Sequence, residues 1–163
     1  MNGKTEIRFA TTQDIPIILD FIKKLAEYEK MSDDVVATEE LLNEWIFQKQ
    51  KAEVIFALED GKEVGFALFF HNFSTFLGKA GIYLEDLFVL SEYRGRGHGK
   101  ALLSRLAEIA CERGCGRLEW SCLDWNKPSL DFYLSLGALS LSEWKVLRVT
   151  GQTLTDLAKG MCV

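Results

Sequence analysis

The sequence predicts a mixed α/β fold in which helices cover the faces of a central sheet. Apolar runs of strand length alternate along the chain with segments whose apolar residues recur at the helical period. The pair Asp60-Gly61, between two apolar runs, is typical of a tight hairpin turn. The 163 residues can bury a core without disulfides or a metal, and no repeat or linker interrupts them. We therefore expect one domain over residues 1–163.

The first part of the chain predicts one strand and two helices. A short strand covers residues 7–10, and a helix follows from about residue 13 to residue 29. The apolar residues of this helix that follow the helical period are Ile15, Ile18, Leu19, Ile22 and Leu25. Thr38 fits the N-cap of a second helix, which runs to about residue 48.

Three strands follow in the middle of the chain. Residues 53–59 and 63–70 form the two arms of the hairpin. Residues 82–90 form a third, long strand that is apolar on both faces, as is typical of a buried central strand.

The last part of the chain predicts two helices and two strands in alternation. A helix over residues 97–113 ends at Gly114, and a strand covers residues 117–123. The next helix starts at about residue 126 and stops at residue 137, and residues 143–149 form a last strand. The tail beyond residue 149 is left open between coil and helix.

The charge balance limits the class of partner. The chain has 24 acidic and 19 basic residues, which gives a net charge of −5. A nucleic-acid binder or a binder of anionic membranes is expected to carry a basic surface instead. The balance favours a cationic partner, with no nucleic acid and no membrane.

Targeting and cysteine patterns indicate the compartment. The chain starts without the apolar segment of a signal peptide, and its longest apolar run, residues 64–70, is too short to cross a bilayer. The cysteines Cys111, Cys115, Cys122 and Cys162 form no C-x-x-C pair and have no nearby histidine. We expect a cytoplasmic protein with reduced cysteines and no metal.

A glycine-rich stretch lies between the third strand and the helix that follows it. It reads Tyr93-Arg94-Gly95-Arg96-Gly97-His98-Gly99-Lys100. Alternating glycines let successive backbone N–H groups turn inward at the positive end of the helix, and the basic side chains add charge. The stretch predicts a cradle for a phosphate or pyrophosphate, although its spacing fits neither a P-loop nor a dinucleotide fingerprint. The alternative is a flexible basic surface loop.

Two neighbouring carboxylates, Glu85 and Asp86, interrupt the apolar third strand. Burying them is costly unless water or a cation solvates them, so they predict a cleft that takes a cationic ligand. Strict alternation along a strand would point the two side chains to opposite faces. The alternative is a structural salt bridge.

The next junction between a strand and a helix also carries polar groups. Asn126 fits the N-cap of the helix, and Tyr133 follows seven residues later on the same face. The two side chains are expected to border one cleft. The alternative is a capped helix with a core tyrosine.

The glycine-rich stretch resembles the pyrophosphate loop of the GNAT superfamily of acetyl-CoA-dependent N-acetyltransferases. Arg94, Gly97 and Gly99 match its pattern Q/R-x-x-G-x-G/A. The stretches that are similar to the spermidine/spermine (diamine) acetyltransferase family are residues 7–8, 25–29, 83–89, 92–95, 124–126 and 132–133. Those that look closer to its thialysine Nε-acetyltransferase branch are residues 73–79, 143–144 and 148–151.

The resemblance implies a GNAT fold, with a mostly antiparallel, twisted sheet that is splayed at an acetyl-CoA site. It implies acetyl-CoA as co-substrate and no metal. The residues implied for binding it are Leu87, Phe88 and Val89 for the pantetheine arm, Arg94, Gly95, Arg96, Gly97, His98, Gly99 and Lys100 for the pyrophosphate, and Asn126 and Ser129 further along.

The resemblance also implies the catalytic roles. Tyr133 matches the general acid that protonates the departing thiolate, and Glu85 matches the residue that draws a proton from the amine through water. The amine attacks directly in a ternary complex, so no cysteine acts as a nucleophile. The residues implied for the substrate side are Tyr28, Glu29, Glu85, Asp86 and Glu143.

The expected acceptor is the primary amine of a diamine, a polyamine or a lysine-like molecule such as thialysine. Two alternatives stay open: an enzyme that acetylates a protein or peptide, and a domain that binds acetyl-CoA without catalysis. The family is generally homodimeric, so the resemblance implies a homodimer.

Overall fold

The computed structural model describes residues 5–161. This part of the chain divides into two compact units, residues 5–121 and residues 122–161. The N-terminal unit holds the sheet, and the C-terminal unit holds two helices and a long irregular stretch between them. The single domain expected for residues 1–163 stays a prediction.

The described elements follow the order that the sequence predicts, apart from its last strand. The strands are β1 (Glu6–Phe9), β2 (Glu53–Glu59), β3 (Lys62–Ser74), β4 (Lys79–Val89) and β5 (Leu118–Trp120). The helices are α1 (Ile15–Tyr28), α2 (Glu39–Leu42) with its π-helical continuation (Asn43–Gln48), α3 (His98–Glu112), α4 (Lys127–Ser135) and α5 (Gly151–Ala158). Within residues 5–161 no helix is long and apolar enough to cross a membrane.

The five strands lie in the sheet in chain order, from β1 to β5. The first four are antiparallel to their neighbours, and β5 pairs with β4 in parallel. The parallel pairing joins Ile82–Leu84 to Leu118–Trp120, whereas β4 continues to Val89. The sheet is therefore mixed and mostly antiparallel, as predicted, and the pairing of its last two strands ends halfway along β4.

A β-bulge lies in β4 at the first of the two neighbouring carboxylates. Leu68 of β3 pairs with Asp86, and Phe69 pairs with Leu84, which leaves Glu85 as the extra residue. A bulge interrupts the alternation of side chains and increases the local twist of a strand. The expectation that Glu85 and Asp86 point to opposite faces rests on strict alternation, which the bulge interrupts at this position.

Helix α1 packs on one face of the sheet. Its residues Ile18 and Phe21 are buried against aromatic side chains of the strands, and the ring of Phe21 stacks on that of Phe66 with centroids 5.2 Å apart. Phe88 of β4 belongs to the same cluster. Each such buried side chain contributes about 1.5–3 kcal/mol. The helical period of the sequence therefore predicts the buried face of α1 correctly.

Helix α3 covers the opposite face. Its apolar residues Leu102, Leu106 and Ile109 are almost fully buried. Gly65 of β3 allows the close approach, since a Cβ there would lie 3.0 Å from the carbonyl oxygen of Phe88 and 3.4 Å from Leu102. The helices lie on both faces of the sheet, as predicted.

The second hairpin is longer than predicted. The sequence places the end of its first strand at residue 70, yet β3 pairs with β4 as far as Ser74 and Lys79. The polar residues His71 and Asn72 are typical of a loop, so the sequence does not predict that the strand continues through them. β5 is shorter than the predicted strand over residues 117–123.

The predicted strand over residues 143–149 is wrong. The structure shows an irregular stretch without regular secondary structure, and Trp144 and Leu147 are 80% and 89% exposed. Its residues have strand propensity, but a strand also needs a neighbour for its backbone hydrogen bonds, and no described strand pairs with it. The tail that the sequence left open forms helix α5.

A charged network joins β1 to the turn before α1. Arg8 donates from both terminal nitrogens to Asp14, at 2.8 and 2.9 Å, and also to Glu63 at 2.5 Å. The backbone N–H of Thr11 donates to Asp14 at 2.7 Å. The hydrogen bond from Arg8 outweighs desolvation and lowers the pKa of Asp14 to about 2. This buried carboxylate is fully compensated.

Candidate active site

In the second half of β4, the main chain is paired with a described neighbouring strand on one side only. Leu87, Phe88 and Val89 pair with β3 on one side. On the other side, the pairing with β5 among the described residues ends at Leu84. The main chain beyond the bulge can therefore pair with an extended ligand as an added strand would.

The glycine-rich stretch forms a loop that leads directly into α3. Gly95 and Gly97 have positive φ values of 76° and 91°, and Gly97 is the N-cap of the helix. The N–H of Ala101 donates to the carbonyl of Gly97 at 2.9 Å, so the N–H groups of residues 98–100 precede the first such bond. Together with the helix dipole, this arrangement suits an anion, and the cradle itself stays a prediction.

The glycines leave the surface of this loop open. A Cβ on Gly95 or Gly97 would meet no atom within 4 Å, and one on Gly99 would meet only a methyl group of Val89 at 4.0 Å. Packing therefore does not require Gly99, which lies in the first turn of α3, where glycine is less favourable than alanine by about 0.5–1 kcal/mol. Without a side chain at this position, the main chain of the first turn stays open to close approach.

The arginine side chains of the loop are already occupied. Arg94 donates from Nε to the carbonyl of Val89 at 3.0 Å, and its guanidinium lies over the rings of Tyr28 and Phe88. Arg96 forms an ion pair with Glu59. For Arg96, the backbone N–H is therefore the group that stays available to a ligand.

His98 is buried and Lys100 is exposed. The two ring nitrogens of His98 contact Glu59 and Thr5, at 2.7 and 3.0 Å. The side chain of His98 therefore faces the protein, and its backbone N–H is the group that it can offer to an anion.

Three carboxylates lie near the bulge and the end of α1. Asp86 is half-buried, and desolvation, together with the charges of Glu85 and Glu29, raises its pKa to about 7. Burial also raises the pKa of Glu29. Glu85 is exposed, so the expected burial of both neighbouring carboxylates holds only for Asp86, and only in part.

The structure brings together four of the five residues predicted for the substrate side. Tyr28 and Glu29 lie at the end of α1, and the Tyr28 ring lies 6.4 Å from that of Phe88 on β4. Asp86 pairs with Leu68 in the ladder that joins Phe66 to Phe88, and so lies on the face that α1 covers. Glu143, the fifth, is exposed in the irregular stretch of the C-terminal unit.

The remaining predicted residues lie in the C-terminal unit. Asn126 is the N-cap of α4, and its side-chain oxygen accepts from the N–H of Ser129 at 3.4 Å, as predicted. Tyr133 follows two turns later in α4, half-buried beside Phe132, with ring centroids 5.5 Å apart. The phenol and the cap therefore lie along one helix, as the spacing predicts.

Sequence reasoning missed Glu59 and the bulge. Glu59 ends β2, next to the hairpin turn, and it contacts residues 37 and 39 positions away, which no local pattern indicates. Within residues 5–161 no cluster of His, Cys, Asp and Glu could hold a metal ion, and Cys111, Cys115 and Cys122 form no disulfide bond.

Comparison with known proteins supports the resemblance. Residues 19–138 match the acetyltransferase (GNAT) family. The chain is 39% identical to a thialysine N-epsilon-acetyltransferase of Bos taurus, over 93% of this chain and 96% of the relative. It is 31% identical to the L-ornithine N5-acetyltransferase NATA1 of Arabidopsis thaliana, over 95% and 88% of the two chains.

A solved structure is also similar. An integron cassette protein from the mobile metagenome of V. cholerae superimposes with a TM-score of 0.79 at 32% identity, over 95% of this chain and 98% of that one. The family and the fold predicted from the sequence are both confirmed.

Proposed function

Because the chain belongs to the GNAT family of N-acetyltransferases, we propose that it transfers the acetyl group of acetyl-CoA to a primary amine of a small polycationic or lysine-like molecule. The observation that carries the proposal is the group of carboxylates Glu29, Glu85 and Asp86. No ion pair of the described residues includes any of the three. A cationic substrate would supply the missing charge.

The cradle and the free side of β4 support acetyl-CoA as the donor. The N–H groups of residues 98–100 suit a pyrophosphate, and the main chain of Leu87–Val89 suits the extended pantetheine arm. An N–H of that segment can also stabilise the negative charge that develops on the thioester oxygen. Asn126 and Ser129, at the start of α4, are proposed to contact the donor further along.

The acceptor must lose a proton before it can attack. A primary amine with a pKa of about 10 is mostly protonated at pH 7. We assign the proton transfer to Glu85 acting through water, with Asp86 beside it. The raised pKa of Asp86, about 7, lets the pair exchange a proton at neutral pH.

The reaction then proceeds by direct attack in a ternary complex. The amine nitrogen forms a bond to the thioester carbonyl carbon, and the carbon–sulfur bond breaks. The phenol of Tyr133 gives its proton to the departing thiolate, which leaves as the thiol of CoA. The proton that the attacking nitrogen loses on becoming an amide restores the phenol through solvent. Tyr28, Glu29, Asp86 and Glu143 are proposed to bind the charged remainder of the acceptor.

Relatives that are named for thialysine and L-ornithine support a small acceptor that carries more than one charged group. The test follows CoA thiol release with thialysine, lysine, ornithine, putrescine, spermidine, spermine and a peptide with a free N-terminus. Strong turnover with a small di- or polycation supports the proposal. Turnover with the peptide alone would overturn the substrate class, and binding of CoA without turnover of any amine would indicate a non-catalytic domain.

The role of Tyr133 is tested separately. Tyr133→Phe removes the phenolic proton and keeps the ring, so we expect kcat to fall about 100-fold, the lower end of what general acids contribute, with unchanged affinity for CoA. Trp125→Phe, an aromatic change just before the same helix, is the matched control. An unchanged kcat in Tyr133→Phe would remove this residue from the acid role.

The quaternary structure and the location of the protein are proposed on the resemblance. We propose a homodimer in the cytoplasm. Light scattering coupled to gel filtration tests the oligomeric state, and a monomeric mass would contradict it.

A further inference from the structure

Glu59 touches the glycine-rich loop at two points, although it lies on another element. One carboxylate oxygen accepts from Nη1 of Arg96 at 2.6 Å, and the other lies 2.7 Å from Nε2 of His98. The two contacted residues flank Gly97, the N-cap of α3. The carboxylate therefore holds the loop on both sides of the residue at which it becomes a helix.

The contact with His98 is the stronger of the two. The His98 side chain is 1% exposed, and both of its ring nitrogens have partners, Glu59 and Thr5. A polar group that is buried loses more than an exposed one when its partner is removed, because water cannot replace that partner. The Arg96 side chain is 51% exposed, so its ion pair adds less. The hydrogen bond from His98 and the charge of Arg96 lower the pKa of Glu59, so the carboxylate is ionised at neutral pH.

Alternate residues of the loop have different tasks: some hold the loop on the protein, and the others leave room for a ligand. Side chains at positions 96 and 98 are held against the protein by Glu59, whereas the interleaved glycines at positions 95, 97 and 99 leave open space. A loop that is ordered before its ligand arrives loses less conformational freedom on binding. Glu59 supplies that order from outside the loop.

We propose that Glu59 is a positioning residue for the pyrophosphate cradle, which it holds in shape through His98 and Arg96. The proposal rests on the proposed function, because it takes the pyrophosphate of CoA as the ligand. Glu59 lies at the end of β2, and its side chain contacts the loop through Arg96 and His98. Its loss should therefore weaken the binding of donors that contain a pyrophosphate and leave the chemical step unchanged.

The experiment measures the Kd of CoA by titration calorimetry, and kcat and KM with two donors, acetyl-CoA and S-acetylpantetheine, which lacks the pyrophosphate. For Glu59→Ala we expect the Kd of CoA and the KM of acetyl-CoA to rise about tenfold, with kcat unchanged. The KM of S-acetylpantetheine should stay within about twofold, which general damage to the fold would not allow.

Further variants distinguish a positioning role of Glu59 from a general effect of its charge and from misfolding. Glu92→Ala removes the same charge beside the loop but breaks only a side-chain contact with Ser91, so CoA affinity should not fall. His98→Leu removes one contact of Glu59 and should weaken CoA more than His98→Gln, whose amide can still donate to the carboxylate.

The outcomes are distinct. Absence of CoA binding in the unchanged protein would overturn the proposed function. CoA binding that is unchanged in Glu59→Ala, or equally weakened in Glu92→Ala, would overturn the positioning role and leave the proposed function standing.

Discussion

Two aspartates, Asp14 in the turn before α1 and Asp86 in β4, have opposite surroundings. Asp14 receives two hydrogen bonds from Arg8 and one from the N–H of Thr11, and its pKa is lowered to about 2. Asp86 forms no ion pair among the described residues, lies near Glu85 and Glu29, and has a pKa raised to about 7. The fold therefore gives Asp14 a positively charged partner, whereas no described ion pair balances the charge of Asp86.

The difference teaches how a fold treats a structural and a binding carboxylate. Asp14 ties β1 to the start of α1 and stabilises the native state in its charged form. Asp86 destabilises the native state when it is charged, and a cationic ligand can relieve this cost. Four predictions test the contrast, beginning with the largest effect.

The largest effect is expected on catalysis from Asp86→Asn, which keeps the shape of the side chain and removes its charge. We expect kcat/KM for the preferred amine to fall about 100-fold or more, in the range of general acid–base contributions. Steady-state kinetics with saturating acetyl-CoA check this. Asp14→Asn is the matched change at the compensated site, and an equal loss of kcat/KM in both variants, measured below the unfolding temperature, would contradict the contrast.

The second effect is expected on stability from Arg8→Met, which leaves Asp14 and Glu63 without their shared partner. We expect the free energy of unfolding to fall by about 3 kcal/mol, the lower end for breaking a buried pair, since Arg8 is partly exposed. Urea denaturation followed by circular dichroism checks it. Lys24→Met, which breaks an exposed pair with Asp20, should cost about 0.5 kcal/mol or less.

The third effect is on acid stability. A carboxyl group whose folded pKa is lowered stabilises the protein above its unfolded pKa, and this contribution is lost as the pH falls through the folded value. For Asp14 the window runs from about pH 4 to about pH 2, and the loss is about 2 kcal/mol. Unfolding measured across this range should show a steeper loss in the unchanged protein than in Asp14→Asn. Parallel curves would contradict the role of Asp14.

The smallest effect is the pH dependence of turnover. If the charged form of Asp86 takes part in catalysis, its contribution rises with pH through about 7. For a single group with that pKa, the charged fraction increases about tenfold between pH 6 and pH 8. The pH profile of kcat should lose this inflection in Asp86→Asn. Retention of the inflection in that variant would assign it to another group.

Much of the fold and several site residues could be predicted from local patterns. The apolar period of α1, the hairpin after β2 and the glycines before α3 each reflect forces that act between near neighbours in the chain. The pair Glu85-Asp86 was found because two carboxylates are out of place in an apolar strand.

What the sequence could not predict depends on distant partners. The bulge exists because β3 and β4 shift their register between Leu68 and Phe69, and neither strand alone carries that information. Glu59 is recognised only through its contacts with α3 and the loop before it. The residues at 143–149 have strand propensity, yet no described neighbour pairs with them.

Because of the bulge, we expect the deletion of Glu85 to affect the sheet less than the deletion of another strand residue would. Deleting one residue from a strand usually turns every side chain beyond the deletion to the opposite face of the sheet. Here Leu68 already pairs with Asp86 and Phe69 with Leu84, so removing Glu85 would leave both pairs in place and convert β4 into a regular strand. The sheet would tolerate this deletion, and the cost would fall on the chemistry alone.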